Sequence, residues 1–155
     1  MHLSLILALT IGFVAGLRTM TAPAAVSWAA WYGWLQLDGT PLGFMGSGLA
    51  VAIFTVAAVA EYVADKLPRT PNRTSTGPLV GRILLGGLSG AALSAALQSP
   101  LFTGAALGGL GAVLGAYAGY YVRRQLVSRM RVKDIGVALT EDVVTILIAY
   151  LVVSR

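Results

Sequence analysis

Residues 102–122 read FTGAALGGLGAVLGAYAGYYV, a run of 21 residues without a charged side chain. An α-helix rises about 1.5 Å per residue, so about 20 apolar residues cross the hydrocarbon core of a bilayer. The whole chain is 57% hydrophobic and only 11% charged, with a mean hydropathy of +0.79. A soluble domain carries charge on roughly a quarter of its residues. The sequence therefore predicts an all-α polytopic membrane protein, with one integral membrane domain over residues 1–155.

Further apolar segments flank this run, at residues 3–17, 22–35, 46–65, 79–97 and 137–153. Residues 3–35 are too long for one straight crossing, and the stretch GLRTMTAP, residues 16–23, interrupts them. Proline suits the first turn of a new helix, and Thr21 can cap it. Two helical pieces therefore meet here, either as one broken span or as a hairpin. We favour the broken span, which gives about five spans in total.

Lysine and arginine are concentrated near two of the connections. The basic residues are Lys66, Arg69, Arg73 and Arg82 near one, and Arg123, Arg124, Arg129, Arg131 and Lys133 near the other. Connections 36–45 and 98–101 carry none. The positive-inside rule puts both basic loops in the cytoplasm of a bacterial inner membrane. With five spans, the N-terminus is then cytoplasmic and Arg155 periplasmic. The aromatic residues Trp28, Trp31, Tyr32 and Trp34 belong to the periplasmic interface.

An internal repeat is one interpretation of the sequence. Residues 44–66 align without gaps on residues 102–124, with matching Phe, Gly, Leu and Tyr positions and a charged pair at the end. This predicts a two-helix unit repeated in parallel. The other interpretation is chance identity, which is frequent among helices rich in Ala, Gly and Leu.

Glycines spaced four residues apart recur in several segments. The pairs and strips are Gly12/Gly16, Gly86/Gly90, Gly104/Gly108 and Gly111/Gly115/Gly119. Such spacing allows close helix packing, either inside one subunit or between two copies. With several strips on a small bundle, we expect at least one to form a homo-oligomer contact.

Charged residues within or beside the apolar segments are the best functional signal, because each is costly in a membrane unless paired or solvated. Arg18 lies at the break, between Gly16-Leu17 and Thr19, and near the first turn that Thr21 opens. A helix N-terminus beside a guanidinium suits an anion. The alternative is a structural ion pair of Arg18 with Glu61 or Glu141.

Four carboxylates complete this predicted ligand or ion pathway. Glu61 and Asp65 lie four residues apart and so share a helix face, and Glu141 and Asp142 open the last segment. They suit a hard cation or a proton. The alternative is that they pair with Arg18, Lys66 and Arg82.

The loop that begins at Lys66 is rich in proline, hydroxyl and guanidinium groups. Its basic residues, Lys66, Arg69 and Arg73, together with Arg82, suit phosphate or anionic lipid headgroups. The alternative is a polar connector that only obeys the positive-inside rule.

Signatures of catalysis are absent from the sequence. It has no G-x-S-x-G, H-E-x-x-H or P-loop motif, no cysteine, and a single histidine at position 2. We therefore expect neither an enzyme nor a cofactor. Membrane topology accounts for the net charge of +5, so we expect the lipid bilayer as partner and no nucleic acid.

These charged motifs together resemble those of the bacterial domain-of-unknown-function family 4126. The residues that carry the resemblance are the stretch 16–23, Glu61, Asp65-Lys66, Pro68, Pro71, Arg73, Gly81-Arg82 and Glu141-Asp142. The resemblance covers most of the chain and implies a small multi-span membrane protein. It implies no activity.

Two functions follow as hypotheses. The first is a membrane carrier or channel for a small solute, with an anion as the candidate that Arg18 suggests. The second is a non-transporting membrane subunit that binds lipid or serves as a scaffold.

Overall fold

A computed structural model of the chain describes residues 2–65, 74–129 and 134–155. These residues form six α-helices and a short 3-10 helix, Gly43–Gly46, and they contain no strand. The helices are α1 (His2–Leu17), α2 (Thr21–Trp31), α3 (Gly48–Ala64), α4 (Thr76–Ala96), α5 (Leu101–Arg129) and α6 (Asp134–Val153). The predicted all-α class is confirmed.

The helices differ in whether they are long enough to cross a membrane. By length and composition α4, α5 and α6 qualify. The helices α1 and α3 are equally apolar but have 16 and 17 residues, and α2 has only 11. A helix bundle with three helices long and apolar enough to cross a membrane is thus confirmed in the described residues, whereas a count of five spans is not.

Glycines bring α1, α4 and α5 into direct backbone contact. A Cβ added at Gly12, Gly90 or Gly108 would lie less than 3.0 Å from backbone atoms of a facing helix. Side chains larger than hydrogen have no room at these positions, which is how small-residue faces hold membrane helices together. These three helices form the tightly packed centre of the bundle.

The glycine contacts also fix the directions of these helices. Gly12 faces Gly108 and Gly16 faces Gly115, so the residue numbers rise together and α1 runs parallel to α5. On α4, Gly90 faces Gly104 and Gly108. Because α5 follows α4 through the short connection 97–100, α4 is antiparallel to both.

The chain reverses direction between α1 and α2, so these helices form a hairpin. Thr21 bonds to Tyr62 and Trp28 bonds to Thr55, which makes α2 antiparallel to α3. At its other end the α2 segment reaches the end of α6, where Trp34 packs edge-on against Tyr150. The favoured prediction of one broken span is therefore wrong, and the alternative of a hairpin is correct. The reason is that residues 18–20 suffice for a tight turn once other helices bond their backbone groups.

The hairpin also changes the side on which the chain begins. The Ser99 hydroxyl, just beyond the end of α4, donates to the Ser4 hydroxyl near the start of α1, at 2.8 Å. The basic segments adjoin the opposite ends of the helices, where α3 and α5 finish and α4 and α6 start. Because α2 adds one reversal of direction, α1 begins at the end of the bundle opposite the basic segments. A cytoplasmic N-terminus stays a prediction, and it does not share one end of the bundle with the basic loops.

Neither the repeat nor the predicted glycine interface is confirmed. The helices α3 and α5 run in the same direction, but α5 lies in the centre between α1 and α4, whereas α3 packs mainly on α2. The strips at Gly12, Gly86, Gly104 and Gly111 are filled by other helices of the same chain. A homo-oligomer stays a prediction, and it needs a different surface.

The close packing of α1, α4 and α5 predicts that two Gly→Ala substitutions differ strongly in their effect on the free energy of unfolding. Gly108→Ala should destabilise the protein by about 1–3 kcal/mol, because the new methyl group meets the backbone of α4. Gly81→Ala, where nothing lies within 4 Å, should be neutral or slightly stabilising, since alanine favours a helix. Thermal unfolding in detergent compares the two. Equal melting temperatures would contradict this packing.

Candidate functional site

Six charged residues from four segments, the α1–α2 turn, the end of α3, α4 and α6, converge at one end of the bundle. They meet where α1 and α3 end and where α2, α4 and α6 begin. We call this group the Arg18 cluster; its members are Arg18, Glu61, Asp65, Arg82, Glu141 and Asp142.

Arg18 lies at the centre of the cluster and is completely buried. Its Nη1 forms an ion pair with the Asp65 carboxylate, and its Nη2 lies 2.5 Å from Oδ1 of Asp142. Glu141 is more distant, at 3.9 Å from Nη2. The guanidinium also lies over the ring of Tyr62, 5.6 Å from its centroid, within the range of a cation–π contact. One side chain thus joins the α1–α2 turn to the end of α3 and the start of α6.

Glu61 satisfies the backbone at the start of α2. Its two carboxylate oxygens accept from the backbone N–H groups of Thr19 and Met20, each at 2.8 Å. No side chain of the α2 segment caps this end, since Met20 occupies the N-cap position. A carboxylate from α3 therefore provides the cap and the negative charge that a helix N-terminus favours.

Arg82 satisfies backbone groups at the end of α1, as Glu61 does at the start of α2. Its Nη1 donates to the carbonyl of Gly16 at 2.6 Å and lies 3.4 Å from that of Ala15. A cation is favoured there, because the last carbonyls of a helix lack partners within the helix. Nη2 of Arg82 lies 3.9 Å from Oε1 of Glu61. The two groups that satisfy the helix ends at the turn are therefore neighbours.

The structure brings the predicted pathway residues together. Thr19 contributes its backbone N–H, and the Thr21 hydroxyl bonds to the Tyr62 hydroxyl at 2.7 Å. The ion-pair interpretation of Arg18 named Glu61 or Glu141; the nearest partners are instead Asp65 and Asp142.

Of the four predicted headgroup residues, Arg82 lies in the part of the chain that the structure describes. Arg82 is only 4% exposed and points into the Arg18 cluster, so it belongs to the cluster and not to the lipid surface. The other three, Lys66, Arg69 and Arg73, lie outside the described residues.

Sequence analysis missed Tyr62. The available signal was a polar aromatic residue directly after Glu61, within an apolar segment. Sequence analysis also missed the carbonyl of Gly16 as a ligand for Arg82, and no residue pattern reports a backbone acceptor.

The charge of the cluster is acidic. Among the described residues, four carboxylates surround two guanidinium groups. The carboxylate side chains are 11–16% exposed and the guanidinium side chains 0% and 4%, so the cations are innermost. Glu61 already occupies the anion site predicted at the start of α2. The arrangement therefore suits exchange of a proton or cation better than capture of an anion.

A metal centre has no support in the described part of the chain. No group of three His, Cys, Asp or Glu side chains there is placed to hold a metal ion. The carboxylates are instead distributed around the two arginines.

One comparison with known proteins gives a match. The family model described as domain of unknown function (DUF4126) matches residues 5–154. No curated protein and no solved structure matches the chain.

Removal of the central cation should destabilise the protein strongly. Arg18→Gln leaves Asp65 and Asp142 without their main partner, and loss of one member of a buried ion pair costs about 3–5 kcal/mol. Arg124→Gln, at an exposed position, should change stability by less than about 0.5 kcal/mol. Thermal unfolding in detergent measures both. A small effect of Arg18→Gln would mean that the cluster does not hold the helices together.

Proposed function

The chain belongs to the DUF4126 family, and we propose that it is a multi-pass inner-membrane protein that transports a small cation, the proton included, through the Arg18 cluster. The observation that carries this proposal is the convergence of four carboxylates on two buried arginines at the end of an apolar bundle. No chemical transformation is part of it.

The proposed topology has six membrane-embedded helices with both termini in the periplasm. The basic segments adjoin a single end of the bundle, and the positive-inside rule assigns that end to the cytoplasm. At the other end Trp28, Tyr32 and Trp34 are 38–61% exposed and stack on one another, as in an aromatic belt. An even number of helices then returns the chain to the side where it began.

The short helix α2 is compatible with a membrane interior. At 11 residues it is only about 17 Å long, roughly half of the hydrocarbon thickness. Ala22, Val26 and Ala29 on this helix are at most 1% exposed, so α2 is enclosed by protein. Irregular backbone at membrane depth is tolerated in such a position. Half-length helices whose ends meet charged groups are typical of transporter binding sites.

The cluster offers a mechanism for exchange. A proton or cation that reaches Asp142 or Glu141 replaces Arg18 as the partner of that carboxylate. The tie between α6 and the α1–α2 turn is then weakened, because it depends on these charges. The helices α1, α4 and α5 are held by glycine contacts, whereas the one glycine described on α6, Gly136, faces open space. We therefore propose that α6 moves against a rigid three-helix centre.

The same charges favour binding of a cation over binding of an anion at the Arg18 cluster. An anion would have to displace Glu61 from the α2 N-terminus, or Asp65 and Asp142 from Arg18. A cation enters a cluster in which four carboxylates outnumber two guanidinium groups, so it does not have to displace a negative charge. The proposed preference for a cation is the opposite of the anion preference that Arg18 suggests from the sequence, where its partners are not visible.

A second candidate function is a non-transporting membrane subunit. The observation that favours it is that Arg18 is wholly buried and lines none of the described cavities. In this case the cluster is only a structural lock. The two functions differ in whether charge removal affects flux or only stability.

Flux into proteoliposomes distinguishes the two functions. An ion gradient should drive uptake of protons, read with an internal pH-sensitive dye, or of one member of a panel of small amines. Asp142→Asn should abolish that uptake, because it removes the partner that exchanges with Arg18. Asp38→Asn, an exposed residue in the connection between α2 and α3, is the matched control and should leave uptake unchanged. Absence of any uptake, or full uptake by folded Asp142→Asn, would favour the non-transporting subunit.

Labelling of single cysteines tests the proposed topology, since the chain has no cysteine of its own. A membrane-impermeant thiol reagent added to spheroplasts should label His2→Cys and Asp38→Cys, which lie at the periplasmic end. Ser128→Cys, near the end of α5, should react only after the membrane is opened. If His2→Cys reacted only after the membrane is opened, as expected for Ser128→Cys, the hairpin of α1 and α2 would be contradicted.

A further inference from the structure

An apolar groove of about 370 Å³ lies between α1, α5 and α6. Its walls are almost entirely hydrocarbon. Among the lining residues are Phe13, Leu17, Val122, Leu126, Val137 and Val144. Val122 and Val144 in its lining are 55% and 44% exposed, so in the proposed topology the groove faces the bilayer. A membrane-facing groove of this composition suits an acyl chain.

The groove also has a charged end, which annular lipid contacts do not require. Arg123 from α5 and Glu141 from α6 both line it, together with Thr140. Arg123 is the first charged residue after the uncharged run 102–122, which spans about 31 Å as a helix. It therefore lies at the depth of the lipid headgroups.

The two opposite charges define the chemistry of the headgroup. A phosphate favours the guanidinium of Arg123, and a primary ammonium favours the carboxylate of Glu141. Arg123 and Glu141 need not be unpaired before the lipid binds. A zwitterion between them gives the guanidinium a new anionic partner and the carboxylate a new cationic partner. A purely anionic headgroup would satisfy Arg123 and repel Glu141.

We propose that this groove binds one molecule of an aminophospholipid of the phosphatidylethanolamine type, with its phosphate at Arg123 and its ammonium at Glu141. The inference rests on the membrane location but not on transport. Because Glu141 also lies 3.9 Å from Arg18, the bound headgroup is in contact with the Arg18 cluster. The lipid composition of the membrane would then determine how strongly Glu141 interacts with Arg18.

Native mass spectrometry of the detergent-solubilised protein tests this site. The protein is incubated with equal amounts of phosphatidylethanolamine and phosphatidylglycerol, and the retained adducts are counted. Wild-type protein should retain one phosphatidylethanolamine in preference. Gly136→Leu should lose this adduct, because the leucine occupies the groove, where an added Cβ meets nothing within 4 Å. Gly81→Leu, a helical glycine on α4 with equally open surroundings, should retain it.

Charge variants test the headgroup assignment separately. Glu141→Gln should reduce the preference for ethanolamine over glycerol by about fivefold, the effect of one charge pair near a surface. Arg123→Gln should weaken retention of both lipids, whereas Arg124→Gln, outside the groove, should not. Equal retention of both lipids by the wild type, or an undiminished adduct with Gly136→Leu, would overturn the proposal. Since no flux is measured, the result is independent of whether the protein transports a cation.

Discussion

A guanidinium group that is fully withdrawn from solvent within an apolar helix bundle must be paired, because an isolated buried charge costs several kcal/mol. Arg18 meets this constraint with carboxylates from two other helices. One side chain therefore ties the end of α3 and the first half of α6 to the α1–α2 turn. The turn itself depends on Glu61 and Arg82, which bond the backbone at the helix ends it leaves open.

Two kinds of contact hold two different sets of helices in the molecule. Glycine contacts hold α1, α4 and α5 by direct backbone approach, which leaves little freedom to adjust. Charges hold α2, α3 and α6 to this centre at the end where Arg18 lies, and charge pairs can exchange partners. Function as a carrier needs both a rigid part and a part that responds to a ligand. The groove that we propose to bind a lipid lies along α1, α5 and α6, between the rigid and the responsive parts.

The helical membrane class and the break at Arg18 were predictable, because hydropathy and proline position are local signals. The charged residues that would meet were also predictable, since an apolar background leaves each of them few partners. The direction of the chain after the break was not, because a broken span and a hairpin have the same residues. The contacts of Ser4 with Ser99, of Trp28 with Thr55 and of Trp34 with Tyr150 separate the two. The preference for a cation that we propose was likewise not predictable, because the sequence does not show that Glu61 occupies the anion site at the start of α2.

The central claim is that Arg18 and the carboxylate of Asp142 stabilise the fold through each other. A double-mutant cycle of Arg18→Gln and Asp142→Asn, followed by unfolding in detergent micelles, measures their coupling free energy directly. The account predicts that the double variant is less destabilised than the sum of the single variants, by about 1–3 kcal/mol. A cycle of Arg18→Gln with Asp38→Asn, at the opposite end, should be additive. Additivity of the Arg18 and Asp142 substitutions would contradict the account.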